Sequence, residues 1–226
     1  MALKATGETD EWTVIDRFED SVGWMAHPSE TMQRASHAVV ADGDVWVIDP
    51  VDVEGLDDLL AEYGTVAGVV ILLDRHKRDC AAVANRHDVS VWIPSFMTDV
   101  ADEIDASIER FDNALGDSGF HLQEVVNNSF WQEGALYNEE SGVLIVPESV
   151  GTSEYFRTGN RVLGVHPLRR LTPPTELAKL EPERIHVGHG KGVHEDAPRA
   201  LRKAVAGSRI RTPQLYAKNV KKLLFG

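Results

Sequence analysis

Short apolar runs alternate along the chain with turns rich in Gly, Asp and Pro. Some runs are continuous or alternate with period two, as in strands, and others have apolar residues at helical spacing. The predicted strands cover residues 11–18, 37–41, 45–48, 66–73, 89–93, 122–126, 134–137, 143–146, 161–165 and 184–187. The predicted helices cover residues 53–63, 79–86, 99–114, 197–206 and 213–224.

Strands alternate with helices in both halves of this order, which predicts a layered α/β architecture. No internal repeat or low-complexity linker divides the chain, so we expect one domain over residues 1–226, with the helices of residues 197–226 packed on it. A doubly wound nucleotide-binding fold is the competing topology. The sequence has neither its glycine-rich turn nor a Gly-x-x-x-x-Gly-Lys-Ser/Thr motif, and it lacks the Gly-x-Ser-x-Gly elbow of serine hydrolases.

The charge of the chain narrows the range of partners. The net charge is −13, which argues against nucleic-acid binding by the whole surface. The acidity leaves two interpretations open, a salt-adapted protein or an ordinary acidic one. After Asp196 the chain has eight Lys and Arg residues and no acid. We favour an amphipathic, packed C-terminal helix there over a strip that binds nucleic acid or a partner protein.

Three features of the sequence bear on where in the cell the protein is located. No apolar run reaches the roughly 18–20 residues that span a bilayer, so we expect no membrane segment. Residues 1–10 are polar and lack the apolar core of a signal peptide. Cys80 is the single cysteine, so no internal disulfide can form, and we expect a buried thiol in a cytoplasmic protein.

Candidate chemistry lies at the ends of predicted strands. The early strand VWVIDP at residues 45–50 ends in Asp49, and the buried strand VVILLDRHKRD at 69–79 continues into a charged loop. The late strand RIHVGHG at 184–190 ends in Gly-His-Gly. Between them, GALY at 134–137 and SGVLIVPE at 141–148 form two further strands, the second ending near a carboxylate.

In their order and spacing these segments resemble the metallo-β-lactamase superfamily, over roughly residues 11–195. The resemblance implies an α/β fold of four layers, an αβ/βα sandwich. It also implies a metal centre that combines a His-x-His-x-Asp-His loop with a third His, a bridging Asp and a final His. In such a centre zinc lowers the pKa of water toward about 7, so that hydroxide can attack an ester, amide, thioester or phosphodiester.

The loop motif is only partly retained in this chain. His76 matches the second His of the motif, but Asp74 stands at the first. Arg78 stands at the motif Asp, and Asp79 stands at the final His. The motif is therefore degenerate, and no two-metal centre is expected.

The remaining family ligands fall on later strands. The third His falls near Asn128 or Ser129, neither of which is a strong zinc ligand. The bridging Asp is replaced by Glu148, and the last His is matched by His189. The candidate metal ligands are therefore His76, Asp79, Glu148, His189 and Asp74.

Such a set suffices for at most one zinc or manganese ion. A metal-free site is equally compatible, because Arg75, Lys77 and Arg78 would oppose a bound dication. At least one of these cations is expected to pair with Asp74 or Asp79. We expect His186 to be structural, and we favour a structural role for His166 over a place at the mouth of the site. His37 shows no partner pattern.

Two functional hypotheses follow. The first is a metal-dependent hydrolase with weak or no activity on a small-molecule or ester-like substrate. The second is a non-catalytic binding or interaction module that keeps the fold without metal. The sequence leaves open whether the protein is an enzyme.

Overall fold

A computed structural model describes residues 11–225 of the chain, and the polar segment 1–10 lies outside them. The first seven strands are β1 (Thr13–Ile15), β2 (Ser21–Met25), β3 (Ala35–Ala41), β4 (Asp44–Ile48), β5 (Thr65–Val70), β6 (Val91–Pro94) and β7 (Ile108–Phe111). The others are β8 (His121–Asn128), β9 (Trp131–Asn138), β10 (Val143–Val146), β11 (Val150–Gly151), β12 (Gly164–Val165) and β13 (Arg184–Val187). The helices are α1 (Leu56–Ala61), α2 (Cys80–Arg86), α3 (Ala197–Gly207) and α4 (Thr212–Phe225).

Two main sheets face each other. The first contains β1 to β7 in chain order, antiparallel up to β4 and parallel from β4 to β7. The second has the order β13-β10-β9-β8, and β11 pairs with β12 in a small separate sheet. Apolar side chains from both main sheets, such as Ile48, Val70, Leu136 and Ile145, form one buried layer.

Helices cover the outer faces of the two sheets. Leu60 of α1 and Val83 of α2 belong to one core cluster with Val47 and Val69 of the first sheet. Leu201 of α3 packs with strands of the second sheet. The chain therefore has four layers in the order αβ/βα, which confirms the fold expected from the sequence.

The turn between β3 and β4 follows from local sequence. Asp42 and Gly43 both have positive φ, 52° and 88°. Two such residues form the type I′ turn whose twist matches antiparallel strands, and Asp and Gly tolerate this conformation best. The predicted hairpin is confirmed.

Several elements differ from the prediction. The acidic helix predicted over residues 99–114 is wrong, because this segment has one 3₁₀ turn at Ala101–Glu103 followed by β7. Its apolar residues have helical spacing, but pairing of β7 with the edge of β6 outweighs that local preference. Strand β2 was not predicted, because Ser21 and Gly23 interrupt its apolar run, and β11 was not predicted, because it has only two residues.

The C-terminal helix α4 packs on the loops that follow β11 and β12. Leu215 is fully buried, and Tyr216 Oη lies 3.3 Å from the carbonyl oxygen of Pro167. Asn219 donates to the carbonyl oxygen of Tyr155, and Lys218 donates to that of Arg157. Among the described residues, no helix combines the length and apolar character that crossing a bilayer would require.

Candidate metal centre

The candidate site lies where β5, β10 and β13 end. Strands β10 and β13 are parallel neighbours, with Val146 opposite Val187, so the residues that follow them emerge side by side. A Cβ on Gly188 would lie 2.1 Å from the carbonyl oxygen of Pro147. Only glycine permits this approach of the two backbones, which places Glu148 beside His189.

The third side chain comes from the loop after β5. Backbone hydrogen bonds from Gly134 N to Leu72 O, 2.8 Å, and from Asp74 N to Gln132 O, 3.0 Å, join this loop to β9. They hold the loop between the two sheets. His76 lies in this loop, shortly after Asp74, and is 3% exposed.

Three ligand atoms meet at this point. The Nε2 atom of His189 lies 2.9 Å from Glu148 Oε2, and the Nε2 atom of His76 lies 3.3 Å from the same oxygen. All three side chains are buried, and their ligand atoms lie within 4.8 Å of one another. Two imidazoles and one carboxylate are a common ligand set for zinc and other transition metals.

Hydrogen bonds fix the tautomers of both histidines. Nδ1 of His76 lies 2.9 Å from Asp49 Oδ2, and Nδ1 of His189 lies 3.1 Å from the carbonyl oxygen of Met32. Since a carboxylate and a carbonyl only accept, each Nδ1 carries a proton and each Nε2 presents a lone pair when the ring is neutral. Metal-binding histidines are typically oriented in this way.

A positive charge is needed between His189 and Glu148. Burial lowers the pKa of His189, so its neutral form is favoured. Burial by itself would raise the pKa of Glu148, but its pKa lies well below the usual value in the state in which His189 is protonated and donates, with His166 and His76, to the carboxylate. A neutral ring and a carboxylate at 2.9 Å are two acceptors in contact, so a proton or a cation between them must stabilise the pair.

His166 holds the other oxygen of Glu148. Its Nδ1 accepts from Leu168 N at 3.2 Å, so the proton is on Nε2, which lies 3.2 Å from Glu148 Oε1. His166 is thus a donor that orients the carboxylate. It follows β12, on the loops that α4 covers.

Arg78 takes the place of the carboxylate expected in the motif. Its guanidinium donates to the carbonyl oxygens of Ala35, 2.9 Å, and Asp49, 2.7 Å, and its Nη2 lies 3.3 Å from His76 Nε2. Burial lowers the pKa of Arg78. A partly buried cation at this distance weakens the binding of a dication and competes for the His76 lone pair.

A buried carboxylate, Glu133, supports the floor of the site. It accepts hydrogen bonds from Trp131 Nε1 at 2.8 Å, from Ser149 N at 2.7 Å and Oγ at 2.6 Å, and from Glu148 N at 3.1 Å. Burial raises the pKa of Glu133. Since Glu133 binds the backbone of residues 148 and 149, it fixes where the Glu148 side chain starts.

The structure places the predicted site residues in two groups. It brings together His76, Glu148 and His189, whereas Asp74 and Asp79 have other partners. Asp74 Oδ2 accepts from Gln132 N at 2.9 Å and Oδ1 pairs with Arg75 at 3.2 Å. Asp79 precedes α2 and its Oδ2 accepts from Asp52 N at 2.8 Å.

Other sequence expectations have structural counterparts here. Asn128 and Ser129 are exposed in the β8–β9 hairpin, so no histidine replaces the third family ligand from that loop. Arg75 packs over the Trp131 ring at 4.3 Å, and Lys77 pairs with Glu103 at 2.8 Å. Two of the three cations therefore have partners outside the cluster. Cys80 is fully buried, and burial raises the pKa of its thiol, as a packed cysteine requires.

Sequence reasoning missed one contributor to this site, Asp49, which was noted only as the end of a strand. The available signal for Asp49 was its position at a strand end beside the strand that leads to His76. For His166 a structural role was favoured over a place at the mouth of the site, and the structure places it against Glu148. Arg78 was expected to oppose a bound dication, and its guanidinium does lie 3.3 Å from His76 Nε2.

The described residues fit one metal ion. Two correctly oriented imidazoles and an oriented carboxylate converge, and the Arg78 guanidinium lies 3.3 Å from His76 Nε2. Among residues 11–225, the other group that could hold a metal is Asp16, His37 and His186, which shares no residue with this one.

Solved structures with a similar fold give the wider comparison. The DIM-1 metallo-β-lactamase aligns with a TM-score of 0.61 at 12% identity, covering 88% of this chain and 99% of its own. TMB-1, solved in work on substrate and inhibitor binding, aligns at 0.59 and 12%, covering 86% and 97%. VMB-1 aligns at 0.60 and 10%, covering 88% and 98%.

Sequence comparisons add nothing to this likeness. No protein-family profile matches the chain, and no curated protein sequence does. At such low identity the structural matches establish a shared fold.

Proposed function

We propose that this chain, which has the metallo-β-lactamase fold, is a metal-dependent hydrolase that uses a single metal ion held by His76, Glu148 and His189. One observation supports this most directly: two histidines with fixed tautomers present their Nε2 lone pairs to the same oxygen of Glu148. One zinc or manganese ion satisfies all three groups. Its positive charge stabilises the Glu148 carboxylate beside the two neutral rings.

The residues of the chain have distinct tasks in this proposal. Asp49 and the Met32 carbonyl orient the two imidazoles, and His166 and Glu133 orient Glu148. A metal held here lowers the pKa of water toward about 7 and so makes a nucleophile available for an ester-like bond in a small molecule. Because His76, Glu148 and His189 are all buried, the surrounding side chains exclude bulk water from the site.

Arg78 is expected to keep the activity weak. Its guanidinium lies 3.3 Å from His76 Nε2, where it opposes the charge of the metal. Moreover, the carboxylate that would help bind a second ion is absent at this position. We therefore expect one metal at this centre and slow turnover.

The test is elemental analysis joined to an activity screen. The full chain is treated with mild chelator, reloaded with zinc or manganese, and compared with His76→Ala and His189→Ala. His121→Ala, which changes an exposed histidine, is the matched control. We expect both site variants to lose one equivalent of metal and the metal-dependent cleavage of ester, thioester or phosphodiester substrates, and the control to lose neither.

Two outcomes would reject the proposal. Loss of two equivalents in each site variant would indicate a complete two-metal centre. If the four proteins had the same metal content, His76 and His189 would not bind metal. That result would support the non-catalytic binding module.

Salt adaptation is a separate part of the proposal and rests on the net charge of −13. If the acidic surface is adapted to salt, molar KCl should raise the melting temperature, because screening relieves repulsion among the surface carboxylates. The measurement is thermal unfolding between about 0.1 M and a few molar KCl, over which the Debye length falls from roughly 10 Å to below 3 Å. A constant or falling melting temperature would identify an ordinary acidic protein.

A further inference from the structure

A second buried cluster lies between the two sheets, away from the residues of the candidate centre. Asp16 follows β1, His37 lies in β3 and His186 lies in β13. Their relative exposures are 9%, 2% and 0%. Their ligand atoms lie within 4.8 Å of one another.

Three polar atoms in this cluster are buried without hydrogen-bond partners: Asp16 Oδ1, His37 Nδ1 and His186 Nδ1. A buried polar atom without a partner costs stability, so such atoms are rare in folded proteins. Two of them belong to the stacked rings of His37 and His186, and the third, Asp16 Oδ1, lies 3.1 Å from His194 Nε2. Two unprotonated ring nitrogens beside a buried carboxylate are a ligand set that suits a transition metal.

The other ring nitrogens show that both imidazoles present lone pairs. His37 Nε2 lies 3.0 Å from the carbonyl oxygen of Val187, so it carries the proton. Ser21 Oγ donates to Asp20 Oδ1 and therefore accepts from His186 Nε2, at 3.1 Å. Each Nδ1 is thus unprotonated, and burial lowers the pKa of both rings, which keeps them neutral.

Two glycines leave space beside the candidate ligand atoms. A Cβ on Gly23 would lie 2.7 Å from His37 Nδ1, and a Cβ on Gly192 would lie 3.1 Å from Asp16 Oδ2. Gly192 N donates to that same oxygen at 2.7 Å, and this oxygen also lies 4.0 Å from His186 Nδ1, so Oδ2 is the Asp16 oxygen that faces the imidazoles. Asp16 itself has a φ of 52°, a backbone conformation that side chains rarely adopt.

His194 marks the solvent side of the cluster. Its Nε2 lies 3.1 Å from Asp16 Oδ1 without a hydrogen-bond geometry, and its side chain is 32% exposed. His194 therefore places a further nitrogen near the cluster.

We propose that Asp16, His37 and His186 form a structural site for one zinc-class transition metal. Imidazole nitrogen with one carboxylate suits zinc, whereas calcium and magnesium prefer oxygen ligands. Ligand atoms at roughly 2.0–2.2 Å from zinc are closer to one another than 4.8 Å, so the cluster contracts when loaded. The metal would join β1 and β3 of the first sheet to β13 of the second. The chain would then hold more than the single metal expected from its sequence.

The test uses zinc alone as the probe, on the full chain. After chelation, zinc re-addition and desalting, elemental analysis compares wild type with His37→Ala and Asp16→Asn, and with His76→Ala. The control is again His121→Ala, and Asp16→Asn keeps the shape of the side chain so that the fold is retained. We expect His37→Ala and Asp16→Asn each to lose about one equivalent relative to the control.

A stability readout separates this site from the catalytic proposal. Zinc should raise the melting temperature of His76→Ala, because binding to the folded state alone stabilises it, and should do so less in Asp16→Asn. Equal zinc in His37→Ala, Asp16→Asn and the control would overturn the proposal, whatever the result at His76. If the cluster variants do not fold, the visible absorption spectrum of His76→Ala loaded with cobalt is measured instead. The d–d band of tetrahedral cobalt would support the site, and absence of that band would contradict it.

Discussion

Replacing Glu133 by alanine should lower the free energy of unfolding by at least about 3 kcal/mol, because each buried donor left without a partner costs about 1–3 kcal/mol. The donors concerned are Trp131 Nε1, the Ser149 amide and hydroxyl, and the Glu148 amide. Glu133 is fully buried, so solvent cannot replace its carboxylate without opening the floor of the site. Urea unfolding of the full chain measures the change by linear extrapolation.

The matched control is Glu139→Ala in the same hairpin region, where the side chain is exposed. A surface substitution of this kind should change stability by less than about 0.5 kcal/mol. If Glu133→Ala were no more destabilising than Glu139→Ala, Glu133 would not anchor the backbone of residues 148 and 149. The orientation of Glu148 would then need another explanation.

The second large effect is expected for Gly188→Ala. The new Cβ would meet the carbonyl oxygen of Pro147 at 2.1 Å, and this atom belongs to backbone that cannot rotate away. Overpacking of this kind costs about 2 kcal/mol or more. The strands after β10 and β13 must separate, which moves His189 away from Glu148, so zinc affinity should fall about tenfold to a hundredfold.

Competition with a colorimetric chelator measures the affinity, and thermal unfolding measures the stability. Gly207→Ala is the control, because the nearest atom to its Cβ is 3.6 Å away at the end of α3. That substitution should be neutral or slightly stabilising. Wild-type zinc affinity in Gly188→Ala would show that the close approach of the two strand ends does not position the metal ligands.

Much of the fold could be predicted from the pattern of apolar residues. Strands β3, β4, β5, β10 and β13 are recognisable because buried strands are continuous apolar runs ended by polar turns. The segment 99–114 was predicted wrongly because its apolar spacing suits a helix, while β7 exists through pairing with β6. Local sequence cannot show that a sheet edge is available.

The candidate site was predictable only in part for the same reason. His76, Glu148 and His189 could be placed because each stands at a motif position after a strand. The roles of His166 and Arg78 depend on where their side chains point in three dimensions. The cluster of Asp16, His37 and His186 depends on contact between β3 and β13, where His37 and Val187 are 150 residues apart in sequence.

The central claim is that one metal binds between His76, Glu148 and His189. Anomalous X-ray diffraction from zinc-loaded crystals, collected on both sides of the zinc edge, tests it most directly. The account predicts one anomalous peak there, roughly 2.0–2.2 Å from the two Nε2 atoms and a Glu148 oxygen. Two peaks at this centre would contradict it, and so would none in crystals whose soaking solution holds zinc well above the affinity measured in solution.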